Sequence, residues 1–203
     1  MDAKPVVRGK TKRRDEILAA LGRVIARDGV AAASVGTVAQ EANVARGALH
    51  YYFGSTQELV RALVEQRRSD ESARLSELPA GGDVRERLRR FVDALVHPSV
   101  ADRVLDARLG IALAGFAVGD KVAARTLAEQ RQRRLDVAAD LVADGVRSKV
   151  FAVPDAVQAA SQLVSLCDGH LFATAVAADA SALDEGLLRA AAAIAGLKDG
   201  ARG

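Results

Sequence analysis

The run SVGTVAQEANVARGALHYYFGSTQEL, residues 34–59, leaves this chain little choice of local structure. Ser34 can cap a helix, because its hydroxyl accepts from a backbone N–H that otherwise has no partner. Val35, Val38, Ala39 and Ala42 then recur at helical spacing. Asn43 falls where the chain must turn sharply, and Asn tolerates the left-handed conformation better than most residues. Val44 is the apolar plug beneath that turn. A second helix is predicted from about Arg46 to Phe53, with Leu49, Tyr52 and Phe53 turned inward. Arg46, Gly47, His50 and Tyr51 are left facing out. Gly54 closes it, and Ser55 with Glu58 forms a capping box for the next helix. A helix, a tight turn and a second helix with an exposed polar and aromatic rim is the geometry that lays one helix in a DNA major groove.

These residues also resemble a known family. Gly29, Ser34–Val35, Val38–Ala39, Leu49, Tyr51, Phe53 and Leu59 stand in the register of the DNA-binding domain of TetR-type (tetracycline-repressor-like) transcriptional regulators. The pattern covers roughly the first quarter of the chain; the remainder is similar to the family only in length and helical character. The resemblance implies an all-α protein: an N-terminal three-helix helix-turn-helix domain, then a C-terminal helical ligand-binding and dimerisation domain. It implies a ligand-responsive repressor that binds a palindromic operator in double-stranded DNA as a homodimer and is released by a small-molecule effector. Its last two long helices would pair with their copies in a four-helix bundle. Three positions depart from the pattern: Ala45 stands where relatives have a capping Ser or Thr, His50 where they often have Tyr, and Thr56 where they often have Lys. Relatives touch DNA phosphate at the last two, so Tyr51 and the N-terminal arm are expected to carry more of the grip.

The residues give each expected contact a chemical role. The Arg46 guanidinium can hold guanine through two hydrogen bonds, or simply a phosphate. Gly47 has no side chain, which lets the backbone approach the duplex. His50, Tyr51 and Thr56 can contact phosphates and set the docking register. Ser34 and Thr37 can reach the backbone of the opposite groove wall. Lys12, Arg13 and Arg14 lie near the start of the first helix, the wrong end for the helix dipole, and would add screened attraction to phosphate.

Charge is unevenly placed. Residues 1–54 hold nine Lys or Arg against five Asp or Glu, while the whole chain carries a net charge of only +3. Charge alone fits a nucleic-acid footprint and a solvated face equally well; the motif separates them. Half of the residues are hydrophobic and Pro numbers only four, which argues against broad disorder. Strict two-residue alternation is lacking, so no sheet is expected. Cys167 is the only cysteine, which excludes an internal disulfide and a thiolate zinc site and fits a reducing cytoplasm. No cofactor is called for. The longest apolar run, residues 110–119, is too short to span a bilayer, and no signal peptide is recognisable.

Residues 1–10 read as a flexible basic arm, 11–56 as the helix-turn-helix domain and 57–203 as the ligand-binding and dimerisation domain. Ile17, Leu18, Leu21, Val24 and Ile25 are the buried stripe of a first helix from about Thr11 to Asp28, ended by Gly29. A long helix follows Ser55, broken by Pro79-Ala80-Gly81-Gly82. Asp83 caps the next, and His97-Pro98 breaks it before Ser99 can cap another. A further break near Gly119-Asp120 precedes a long helix to about Arg147, on which Glu129 and Arg133 are spaced for an ion pair. Pro154 suits the first turn of a helix to about Ala178, with Val157, Ala160, Val164, Cys167 and Leu171 on one stripe. Ser181 opens the last helix, ending near Lys198. In this half Phe91, Leu105, Arg108, Phe116 and His170 are candidates for the wall of a ligand cavity. A buried Arg108 would need an anion; the alternative is that it snorkels to solvent. Ser165, Cys167, Asp168 and His170 suggest nucleophilic chemistry, but 168 points away from 167 and 170 on a helix. A buried Cys with hydrogen-bonding neighbours is the simpler reading, and no enzymatic activity is expected.

Overall fold

A computed structural model of the chain describes residues 5–96, 100–177 and 181–197. All regular structure among them is helical, and no strand is present. The elements are α1 (Pro5–Asp28), α2 (Val35–Glu41), α3 (Arg46–Tyr52), α4 (Thr56–Ser76), α5 (Val84–Leu95), α6 (Val100–Val118), α7 (Lys121–Arg147), α8 (Ala156–Val176) and α9 (Ser181–Ile194), with a 3-10 turn at Val30–Ala32.

The chain divides into two compact units, residues 1–67 with 108–127 and residues 68–107 with 128–203. These units do not follow the expected chain order. The first unit recruits part of a distant segment because the apolar face of α6, with Leu109, Leu113 and Ala117, packs into the same core as Ile17, Leu21, Leu49 and Leu59. The second unit is built on Phe91, Leu141, Val142, Leu163 and Val164, with Ala191 from α9 and Ala195 just past its end. Burying each large aliphatic or aromatic side chain contributes about 1.5–3 kcal/mol.

Local rules account for most boundaries. Gly29 takes a φ of 82° at the end of α1 and donates to the Ile25 carbonyl at 2.9 Å, a conformation open to glycine. Asp83 caps α5 by accepting from Arg85 N at 3.0 Å.

Three expectations need correction. Residues 5–10 are helical rather than a flexible arm: Pro5 is the first residue of α1, a place where its fixed φ and missing N–H are harmless. Residues 1–4 of that arm lie outside the described residues. Pro154 precedes α8, and the cap is Asp155, which accepts from Val157 N and Gln158 N. On α8 Val157 is exposed although Ala160, Val164 and Cys167 are buried, because the buried face is centred on Leu163, Cys167 and Thr174 and position 157 lies at its edge. The His97-Pro98 break and Lys198 lie outside the described residues.

Candidate nucleic-acid interface

The first unit presents α3 on a scaffold made by its neighbours. Ser34 Oγ accepts from Thr37 N at 3.1 Å and lies 2.8 Å from Thr37 Oγ1, so the two hydroxyls share the start of α2. Asn43 adopts a φ of 51°, which makes the turn, and Val44 N donates to the Ala39 carbonyl at 2.9 Å. Glu41 then ties α2 to α1, accepting from Arg23 at 2.8 Å and from Arg27 at 3.4 Å. The Arg23 hydrogen bond, with help from Arg27, holds its carboxyl below the ordinary range.

On α3, Leu49 is buried and Phe53 follows it into the core. Arg46, Gly47, His50 and Tyr51 are exposed, Tyr51 at 66%. A Cβ built at Gly47 would meet nothing within 4 Å. Nothing inside the described fold therefore requires glycine there. Gly36 differs: a Cβ on it would lie 3.1 Å from Nη2 of Arg46. The Arg46 side chain is folded back across the first turn of α2, and Gly36 leaves the room. Sequence reasoning missed Gly36, since no local pattern says what lies opposite it.

The basic residues of α1 divide their labour. Lys12 is exposed, Arg13 pairs with Glu16 at 2.8 Å, and Arg14 stacks over the Phe53 ring at 5.4 Å. Arg14 thus braces the end of α3 through cation–π attraction. Ala45 makes no side-chain cap.

Past α3, Glu58 N donates to Ser55 Oγ at 3.1 Å, but the Glu58 carboxylate accepts from Gly54 N at 3.0 Å rather than from Ser55. Gly54 is not left-handed here; its missing Cβ makes room for that carboxylate. Thr56 is half-buried at the first position of α4.

Asp120 was legible only as part of a break, yet it holds the start of α4. Gln57 donates to it at 2.7 Å and Arg61 at 2.9–3.0 Å, while Val122 N and Ala123 N bind Oδ1 as a cap on α7. Arg61 above all, then the Ala123 N–H, lowers its pKa to about 2. Its partners, some sixty residues away, leave no local signal in the sequence.

The five ligand-wall candidates fall in different places. Phe91 is fully buried in the second unit's core, and His170 is buried on α8. Phe116 packs half-buried in the first unit. Leu105 is 47% exposed, and Arg108 is exposed rather than a buried cation. Cys167 is buried, and that burial raises its pKa to about 12, which leaves no thiolate for nucleophilic chemistry. In the second unit Glu71 accepts from Nε and Nη2 of Arg134 at 2.6 Å and from Gln130 at 2.7 Å, and Nη1 of Arg134 donates to Asp168 at 2.7 Å. No group of three or more His, Cys, Asp or Glu suited to a metal occurs among the described residues, and no described helix is long and apolar enough to cross a membrane.

Residues 17–63 match the model of the bacterial regulatory proteins of the tetR family. Residues 17–63 therefore form a domain of the tetR-family type. The match begins in α1 and ends in α4, so it spans the whole reading head. The chain is 34% identical over 86 residues to the HTH-type transcriptional regulator BetI of Vibrio vulnificus, covering 40% of this chain and 43% of that protein. It thus spans less than half the length of this curated relative. A TetR transcription regulator from Haloarcula marismortui shares the fold with a TM-score of 0.81 at 18% identity, covering 93% of this chain and all of the other. A regulator from Saccharomonospora viridis, solved in complex with choline, does so with a TM-score of 0.76 at 21% identity over 87% of this chain and 94% of that one.

Proposed function

We propose that this chain is a ligand-responsive transcriptional repressor of the TetR type acting in the cytoplasm. It binds a palindromic operator as a homodimer and is released by a small-molecule effector. The observation that carries the reading is the exposed rim Arg46, Gly47, His50 and Tyr51, with open space where a Gly47 side chain would be. Arg46 leaves its rest position against Gly36 and reads a base edge; Tyr51, His50 and Thr56 hold phosphates, with Ser34 and Thr37 across the groove. Lys12, Arg13 and Arg14 add attraction that falls with salt. Reading is assigned to residues 11–56, and effector binding and dimerisation to 57–203.

One reading helix contacts few base pairs, so two copies about one turn (~34–36 Å) apart multiply specificity. The outer face of α8 supports pairing. Ser161, Ser165 and Gly169 are small and exposed there, followed by Phe172 and Val176 at 60% and 68% exposure. Small residues allow close helix approach, and the apolar end would otherwise remain in water. The effector acts by binding the DNA-competent and DNA-released conformations unequally, so effector and operator weaken each other's binding by the same factor.

Fluorescence anisotropy with duplex from upstream of the chain's own gene tests the reading. Affinity is expected to fall steeply and linearly in log–log form with salt. Arg46→Ala is expected to lose about 1–3 kcal/mol and to relax preference at one base position. Unchanged affinity and preference in that variant would remove the base-reading role.

A further inference from the structure

A cleft in the second unit is lined by none of the five residues that the sequence singled out as a ligand wall. It lies among the end of α4, the α4–α5 turn, α5 and α7, and its volume is about 500 Å³, in the range of small-molecule sites. Its walls are of two kinds. Leu75, Leu78, Val137 and Leu141 offer aliphatic surface, while Arg87, Arg133 and Arg147 stand against Asp140 and Asp144, an excess of one positive charge. No aromatic side chain lines it, so a quaternary ammonium finds no ring face to sit on.

The charges are not equally available. Asp144 is occupied: Arg87 donates to it at 2.8 Å, Arg147 also pairs with it, and chiefly the Arg87 hydrogen bond keeps its carboxyl below the ordinary range. Arg133 takes part in no hydrogen bond or ion pair among the described residues, and the Glu129–Arg133 pair suggested by spacing is not formed. Arg133 and Leu75 also line a second, much smaller space beside Glu71 and Gln130. Arg133 therefore stands where the open cleft meets the Glu71–Arg134–Asp168 network, which joins α4, α7 and α8. Along α7, Val137 and Leu141 lie one and two turns beyond Arg133, so an aliphatic chain extending from a carboxylate at Arg133 would lie along them. Asp140, about 10 Å along the helix from Arg133, disfavours the reverse orientation.

We infer that this cleft is the effector site and that its ligand is an aliphatic carboxylate, held by Arg133 at one end and by Leu75, Leu78, Val137 and Leu141 along its chain. The effector role rests on the function proposed above; the binding does not. The test titrates the full-length protein with octanoate and, separately, with choline by isothermal calorimetry, then repeats both with operator release read by anisotropy. Octanoate is expected to bind saturably and to lower operator affinity, choline to do neither, and Arg133→Ala to weaken octanoate at least fivefold with an unchanged circular-dichroism melt. Because Arg133 is exposed, that variant keeps the fold; Val137→Asn is the second variant and is expected to weaken octanoate as well. Octanoate binding that is equal in wild type and both variants overturns the site, and saturable choline binding lost in Arg133→Ala overturns the ligand class. Octanoate that binds at Arg133 without changing operator affinity overturns the effector role. Absence of any operator binding refutes the proposed function and leaves the calorimetric result to stand or fall alone.

Discussion

Replacing Gly47 by Ala separates what the fold needs from what the duplex needs. In a helix interior glycine is less favourable than alanine by roughly 0.5–1 kcal/mol. Gly47 is the second residue of α3, in its first turn, so the gain is expected near the lower end, about 0.5 kcal/mol. No strain offsets it: φ is not positive at Gly47, and a Cβ there meets nothing within 4 Å. For a chain of this size, 0.5 kcal/mol raises Tm by about 1–2 °C. On DNA the same methyl would stand between the α3 backbone and the groove wall. An added methyl in a close-packed contact costs about 1–3 kcal/mol, roughly five- to 150-fold in affinity. The melt of the free protein and the anisotropy of its operator complex are therefore expected to move in opposite directions. A variant that melts higher and binds as tightly as wild type would refute the close approach of backbone to DNA. One that melts lower would show that something in the fold does use the missing side chain.

Two further outcomes follow from contacts distant in sequence. The depressed pKa of Asp120 contributes stability that is complete above the unfolded value of 3.8 and is lost as pH falls through the folded value of about 2. Asp120→Asn keeps a capping oxygen but not the charge, so its urea midpoint is expected to lie below wild type at pH 6 and to converge with it by pH 2; parallel curves would contradict the Arg61 pairing. Gly145→Ala places a methyl into the Phe151 ring, which packs on that glycine and is itself buried. A loss of about 1–3 kcal/mol is expected, seen as a lower urea midpoint at unchanged slope.

The features legible from sequence were those written by near neighbours. Ser34, Ser55–Glu58 and Asp83 are caps because an oxygen reaches an N–H two or three residues on, and Asn43 turns because its own backbone tolerates the conformation. The inward phase of α1 and α3 followed from amphipathic spacing. α6 has no such phase: it is apolar on most sides, so periodicity could not tell that Leu105 faces out while Leu109 and Leu113 face in. Candidate cavity residues drawn from it accordingly scattered. The partners of Asp120 and Glu71 and the ring over Gly145 depend on helices meeting after long excursions of chain, and no local pattern records them.

The reading helix is too short to hold itself. Seven isolated residues form no stable helix in water, so the position of α3 is set by what grips it: Leu49 and Phe53 in the core, Arg14 over Phe53, and Glu58 on the Gly54 N–H. The last grip belongs to α4, whose first turns are themselves held by Asp120 through Gln57 and Arg61. A displacement of α4 therefore reaches α3 through Gly54 and Phe53. Glu58→Ala tests this link. Gly54 N is exposed and can turn to water, so the cost in stability is expected to be small, near 0.5 kcal/mol, at the low end for a hydrogen bond. Operator affinity is expected to fall further than that, because the angle between α3 and α4 loses its tie. Losses of equal size in the melt and in operator binding, or no loss in binding, would mean that the core alone fixes α3, and an effector would then have to act on the first unit through another contact.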